Sequence, residues 1–190
     1  MVKRIILVTG PARSGKSEWA ELLAEQSGKP VIYLATSRLD PDDAEWQGRI
    51  DRHRQRRQAS WSTQEVPVAL TAAILQGTAS ENPSCLLVDS LGTWVANLLE
   101  EQDPTWRAIL EELMDSLKRL KQGTVIFVAE ETGWGVVPAY PIGRTFRDRL
   151  GDVVRRLGAI ADPVYLVTGG HAVNLSAIGS VLPPPKTGKD

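Results

Sequence analysis

Five stretches of this chain are continuously apolar rather than alternating: residues 4–9, 31–36, 85–89, 124–129 and 164–168. Short unbroken runs rich in Val, Ile and Leu suit strands whose sheet is covered on both faces. Between the runs, apolar positions recur at helical spacing over 17–26, 41–57, 67–76, 93–100, 104–121 and 142–161. The last segment is the clearest amphipath. Ile142, Phe146, Leu150, Val153, Val154 and Leu157 share one stripe, with Arg144, Arg155 and Arg156 off it. The alternation predicts an α/β fold, a mainly parallel sheet with helices on both faces. No internal repeat or linker interrupts it. Residues 1–182 therefore read as a single domain and 183–190, opening on three prolines, as a flexible tail.

The first apolar run leads directly into Gly10-Pro11-Ala12-Arg13-Ser14-Gly15-Lys16-Ser17, which fits G-x-x-x-x-G-K-[ST], the P-loop that cradles nucleotide phosphates. Glycines let the backbone wrap an anion, and successive N–H groups point inward at it. The helix that follows adds the positive end of its dipole. Lys16 is the residue that reaches the β- and γ-phosphates, and Ser17 supplies a hydroxyl to Mg²⁺. This places the fold among P-loop NTPase-like proteins of the RecA and kinase type.

A P-loop protein also needs an acid at another strand end to help hold Mg²⁺, and Asp89 closes the run 85–89. Its blander role is a solvated acid ending a strand. Two further strand ends face the same edge: Ala35, Thr36 and Ser37 with small hydroxyl side chains, and Glu130 with Glu131. Asp89 and Glu131 are both candidates for the base that a kinase reaction requires.

The other unusual feature is residues 49–57, five arginines and one of the two histidines within nine positions. Asp40 and Pro41 resemble an N-cap and first helical residue, which sets the cluster late on a helix. Arg49, His53, Arg56 and Arg57 then share a face. Like charges so close repel one another unless anions neutralise them. A solvated basic face, a phosphate clamp and a nucleic-acid contact remain open. Among arginines His53 is favoured in its neutral form, available as nucleophile or base.

Composition narrows the partners. The chain has 190 residues, 22 Lys and Arg against 23 Asp and Glu, a net charge of −1. Nothing global advertises nucleic acid or an anionic membrane. No apolar stretch reaches the roughly 18 residues of a spanning helix, and no signal-peptide pattern is present, which suggests a cytoplasmic protein. The single cysteine, Cys85, heads an apolar run and reads as core. His171 follows Gly169-Gly170 and reads as a loop residue without a chemical role. Of the six tryptophans, Trp134 lies between glycines in a segment suited to a ligand wall, while Trp46, Trp61 and Trp106 read as packing residues.

Several segments taken in order are more selective than a P-loop: ARSGKS at 12–17, YLATS at 33–37, RIDRHRQRR at 49–57, WSTQE at 61–65, ETGWGVVP at 131–138 and FRD at 146–148. Over nearly the whole chain these resemble the bifunctional adenosylcobinamide kinase/adenosylcobinamide-phosphate guanylyltransferase family of cobalamin biosynthesis. The resemblance implies two reactions. ATP or GTP first phosphorylates the aminopropanol hydroxyl of adenosylcobinamide. GTP then yields adenosylcobinamide-GDP and pyrophosphate through a guanylylated histidine. Carried over by position, the catalytic residues are His53 and Lys16. Nucleotide contacts fall on Gly10, Pro11, Ala12, Arg13, Ser14, Gly15, Lys16, Ser17, Ala35, Thr36, Ser37, Arg54, Gln55, Arg56, Arg57, Glu65 and Asp89, with Ser17 and Asp89 on Mg²⁺. The corrinoid and the triphosphate are the implied partners, and the implied assembly is a homotrimer.

The chain departs from the family pattern at four places. Pro11 replaces a glycine and removes one N–H from the phosphate nest. Asp89 stands for a glutamate, Glu130 for an asparagine, and an Asn-Gln pair is missing from 151–158. Two other readings compete on the residues alone: a P-loop kinase of another small hydroxylated metabolite, and a RecA-like ATP-dependent module using its basic helix on nucleic acid.

Overall fold

The computed structural model describes residues 3–38, 48 and 58–183. In chain order the described elements are β1 (Arg4–Gly10), α1 (Lys16–Gln26), β2 (Val31–Ala35), β3 (Ser62–Glu65), α2 (Leu70–Thr78), β4 (Cys85–Asp89), α3 (Leu91–Asn97), α4 (Asp103–Arg119), β5 (Thr124–Glu130), α5 (Pro141–Gly158), β6 (Val164–Thr168), β7 (His171–Asn174) and α6 (Leu175–Ile178). The strands form one seven-stranded sheet in the order β3-β2-β4-β5-β1-β6-β7. All pairings are parallel except β6 with β7.

Alternation along the apolar strands sends successive side chains to opposite faces. In β1, Ile5 and Leu7 join one core cluster, whereas Ile6 and Val8 join the other. The first cluster is completed by Leu70 and Ile74 of α2, Trp94 of α3, Leu110 and Leu113 of α4, and Leu150 and Val153 of α5. The second packs against Ala20 and Ala24 of α1. Among the described helices, α1 thus covers one face of the sheet and α2 to α5 the other. This is why the strand sequences are apolar without interruption.

Register aligns the strand ends. Gly10 pairs with Glu130, Ala35 with Asp89, and Ala35 with Glu65. The parallel strands therefore deliver their C-terminal residues to a single edge, where ligands of open α/β sheets bind.

Three elements lie outside the predicted pattern. β3 is four exposed polar residues on the sheet edge, where no apolar run is needed. β7 pairs back onto β6 through Gly169 and Gly170, whose φ values of 57° and 76° suit a tight two-residue hairpin. His171 is consequently the first residue of a strand rather than a loop residue; it is exposed, and its Nδ1 lies 2.9 Å from the Gly169 carbonyl oxygen. α6 is a single turn, with Asn174 accepting from Ala177 N–H at 3.2 Å.

The stripe of α5 also needs correction. Ile142 is 60% exposed, because the first turn of the helix overhangs the core. Arg149 is buried instead. Its guanidinium donates to the carbonyls of Leu98 at 2.9 Å and Glu101 at 2.7 Å and to Asp103 at 3.0 Å, over the ring of Trp106. The turn leaving α3 directs the Leu98 carbonyl, which also accepts from Glu101 N–H at 3.1 Å, and the Glu101 carbonyl at this buried cation. Cys85 is fully buried as expected, and burial pushes its thiol up to about 11, only partly offset by Ser27, Lys29 and Arg4. Of the predicted helix over 41–57 only Gly48 is described, as helical; the rest of that stretch, with Trp46, lies outside the described residues, as does the tail from 184.

Candidate nucleotide site

The loop 10–17 joins β1 to α1 at the edge where the strands end. Two of its residues adopt left-handed backbone, Arg13 at φ 60° and Gly15 at φ 89°. Such alternation curls successive N–H groups inward around an anion. Gly15 precedes α1 and gives its N-terminus no side-chain cap, so the N–H groups of the first turn are left for a ligand. Gly10 has no space for a larger residue: a Cβ would lie 2.4 Å from the Val167 carbonyl oxygen and 2.6 Å from Ser14 Oγ.

The loop holds itself together. Ser14 N–H donates to the Pro11 carbonyl at 3.3 Å, and Lys16 Nζ reaches the same carbonyl at 3.3 Å. Lys16 is thus curled over the loop by a bond that phosphate oxygens can replace. Ser14 Oγ is buried without a hydrogen-bond partner, as is Thr9 Oγ1 at the end of β1. An orphaned buried hydroxyl is costly unless something arrives to pair with it. The uncapped helix end, the curled backbone and the Ser14 hydroxyl fit a bound phosphate.

Asp89 ends β4, which is separated from β1 by β5. At the usual strand spacing that sets it about 10 Å to the side of the P-loop strand. Its Oδ2 accepts from the Tyr33 hydroxyl at 2.7 Å, which holds the carboxylate in one orientation. Glu130 lies between, paired in register with Gly10, and its Oε2 accepts from Gly92 N–H at 2.8 Å. Glu131 N–H donates to the Gly10 carbonyl at 2.9 Å, tying the exit of β5 to the P-loop. Ser17 and Asp89 offer hard oxygen donors of the kind Mg²⁺ takes when substrate phosphates complete its shell. Among the described residues no three His, Cys, Asp or Glu side chains gather as a metal cage. A cation completed by phosphates needs no such cage, so the donor set fits Mg²⁺.

The remaining predicted contacts divide. Ala35, Thr36 and Ser37 stand at the end of β2, and Glu65 at the end of β3, on the same edge. Thr36, however, is fully buried, its hydroxyl donating to the Ser90 carbonyl and accepting from Ser90 N–H, each at 2.8 Å. Its side chain fastens β2 to the exit of β4 and is already occupied. Asn97 strengthens that seam, donating to the carbonyls of Thr36 at 2.7 Å and Pro67 at 2.9 Å. His53, Arg54, Gln55, Arg56 and Arg57 lie outside the described residues.

Sequence reasoning passed over Tyr33, Thr9 and Asn97. Tyr33 stands two residues before the Ala35-Thr36-Ser37 end of its strand, a polar hydroxyl in an apolar run, and that was the available signal.

Comparison with known proteins agrees in scope with this geometry. The family model described as cobinamide kinase / cobinamide phosphate guanyltransferase matches residues 6–175. The bifunctional adenosylcobalamin biosynthesis protein CobP of Pseudomonas aeruginosa is 44% identical over 165 residues, 86% of this chain and 92% of that protein. The bifunctional adenosylcobalamin biosynthesis protein CobU of Salmonella typhimurium is 38% identical over 184 residues, covering 90% of this chain and 99% of that protein. Among solved structures, the flagellar accessory protein FlaH of Methanocaldococcus jannaschii aligns over 94% of this chain and 82% of its own at 14% identity, with a TM-score of 0.49. That last likeness is too distant to bear on function.

Proposed function

The chain belongs to the cobinamide kinase/cobinamide phosphate guanyltransferase family, and from that premise we propose how its residues divide the two reactions. It is a bifunctional transferase of adenosylcobalamin biosynthesis. The observation that carries the proposal is a single P-loop whose helix end is uncapped and whose Ser14 hydroxyl is buried and unpaired.

In the kinase reaction the triphosphate, ATP or GTP, lies in the loop, with Lys16 released from the Pro11 carbonyl onto the β- and γ-phosphates. The aminopropanol hydroxyl oxygen of adenosylcobinamide attacks the γ-phosphorus. Its proton passes to a carboxylate at the strand edge, and the nucleoside diphosphate leaves. Bound Mg²⁺ supplies charge neutralisation between the phosphates. Ser17 and Asp89 would hold it, and Tyr33 keeps the Asp89 carboxylate turned.

In the second reaction the neutral imidazole of His53 attacks the α-phosphorus of GTP, forming an N–P bond and releasing pyrophosphate. A phosphate oxygen of the phosphorylated corrinoid then attacks the same phosphorus and frees the histidine. Arg54, Arg56 and Arg57 neutralise the phosphates, with Gln55, Ala35, Ser37 and Glu65 at the nucleoside side. This gives the arginine-rich segment a purpose that a solvated face would not. We further infer a homotrimer in the cytoplasm, with 1–182 acting as one unit, and no role for nucleic acid. Among the described residues no helix is long and apolar enough to cross a membrane.

Lys16→Ala tests the shared loop. Both phosphorylation of adenosylcobinamide and guanylyl transfer should be lost. Full kinase activity in this variant would mean that a second triphosphate site exists.

A further inference from the structure

The segment 131–140, between β5 and α5, is fastened by its backbone and yet presents its apolar side chains outward. Arg144 donates to the carbonyls of Pro138 at 3.1 Å and Ala139 at 2.7 Å. Arg147 donates to the carbonyls of Gly135, at 3.3 Å, and of Gly133. Gly133 N–H in turn donates to Glu131 Oε1 at 3.1 Å. At Gly143 a Cβ would lie 2.8 Å from the Pro138 ring, so the first turn of α5 closes tightly on the loop. Five carbonyl or N–H groups of one short segment are thereby held in place.

The side chains do the opposite of what a self-packing loop does. Trp134 is 65% exposed, Val136 95%, Val137 62%, Tyr140 77% and the following Ile142 60%. Five large apolar side chains exposed within nine residues, on a restrained backbone, point to a binding site. Its place limits the occupant. β5 adjoins the P-loop strand, Glu130 pairs with Gly10, and Glu131 N–H bonds the Gly10 carbonyl. The segment that carries these side chains therefore leaves the sheet at the phosphate edge, three residues before Trp134, on the side where the acceptor of the transferred group must approach.

We propose that Trp134, Val136, Val137 and Tyr140 form the wall against which the corrin macrocycle rests, setting specificity for a large planar acceptor. This rests on the function proposed above. A corrinoid has a broad, largely apolar ring edged by methyl groups and amide arms, and an indole flanked by glycines can lie flat along such a ring. A small hydroxylated acceptor would need no wall of this extent. Arg144 and Arg147 act as positioning residues, holding the loop carbonyls so that the side chains face outward before substrate arrives.

Calorimetric titration with adenosylcobinamide, and separately with GTP, tests the wall in wild type, Trp134→Ala, Val136→Ser and Trp134→Phe. Corrinoid affinity should fall at least tenfold in Trp134→Ala and severalfold in Val136→Ser, and Trp134→Phe should recover most of the loss. GTP affinity and the thermal midpoint should hold, since these side chains are solvent-exposed. Sedimentation velocity should show the same assembly for all four proteins. Corrinoid affinity equal to wild type in both truncations overturns the wall. So does a loss of affinity that tracks a change in assembly, which would make the patch a contact between subunits. Absence of corrinoid binding by wild type would instead overturn the function proposed above, and the wall with it.

Discussion

Adding one methyl group at Gly10 is the sharpest structural test of the P-loop. The Cβ of Gly10→Ala would sit 2.4 Å from the Val167 carbonyl oxygen and 2.6 Å from Ser14 Oγ, where ordinary contact begins at 3.4 Å. About 1 Å of movement is needed against Val167. Ser14 can rotate, but Val167 presents backbone of β6, and retreat there strains the last rung of the β1–β6 pairing, Thr9 with Leu166. Overpacking of this kind costs roughly 1–3 kcal/mol, and a rigid partner puts the variant near the upper figure. In a chain of this size 3 kcal/mol lowers the melting midpoint by about 6–12 °C. The phosphate nest moves with the strand end, and a displacement near 1 Å is enough to cost about a hundredfold in rate. The assay is thermal unfolding by circular dichroism with and without GTP, beside steady-state phosphorylation. Gly151→Ala is the control: it stands on α5 with nothing within 4 Å of the added Cβ and should gain up to about 1 kcal/mol. Gly10→Ala melting within 2 °C of wild type (about 1 kcal/mol or less), with unchanged nucleotide affinity, would refute the packing argument.

Three further outcomes follow from other sites. Asp89→Asn should raise the Mg²⁺ concentration needed for half-maximal turnover at least tenfold while moving the melting midpoint by less than about 3 °C, since the amide oxygen can still accept from the Tyr33 hydroxyl; an unchanged Mg²⁺ dependence removes Asp89 from the metal. Arg149→Ala strips donors from the carbonyls of Leu98 and Glu101 and should cost about 3 kcal/mol by urea unfolding, whereas a cost below about 1 kcal/mol would mean that water replaces the guanidinium there. The Cys85 thiol, pushed up to about 11 by burial, stays protonated in the fold after it ionises in the unfolded chain, so its share of stability is intact below about pH 9 and is lost as pH rises toward 11. Native protein should resist a disulfide reagent at pH 8, and Cys85→Ala should flatten the alkaline fall in stability; a readily titrated native thiol contradicts both.

The covered strands were legible because burial on both faces writes an unbroken apolar run. β1, β2, β4, β5 and β6 sit within a residue of the predicted stretches. β3 was not, since Ser62, Thr63, Gln64 and Glu65 occupy an exposed edge and carry no apolar signal. β7 was marked by Gly169-Gly170, a hairpin dipeptide, but its strand is only four residues long and only partly buried. At the site, the P-loop could be read directly because its backbone geometry demands glycine and its chemistry demands lysine. The occupation of Thr36 by Ser90 could not, because it depends on which strand lies beside β2. The same holds for Tyr33 on Asp89 and for Arg149 beneath the exit of α3: pairing across 56 and 51 positions of sequence is set by topology. Periodicity placed Ile142 on the stripe of α5, but periodicity does not say where along a helix the core begins.

The central claim is that one P-loop serves two transfers, the second through His53. Incubation with α-labelled GTP and Mg²⁺ should leave covalent label on the protein, released by acid and stable to mild base, as a phosphoramidate of imidazole is and a serine or threonine ester is not. His53→Ala should lose the label and the second reaction while still phosphorylating adenosylcobinamide, and His171→Ala should label as wild type does. Wild-type protein that takes no label, or His53→Ala protein that labels fully, would contradict the account and return the arginine segment to a phosphate clamp.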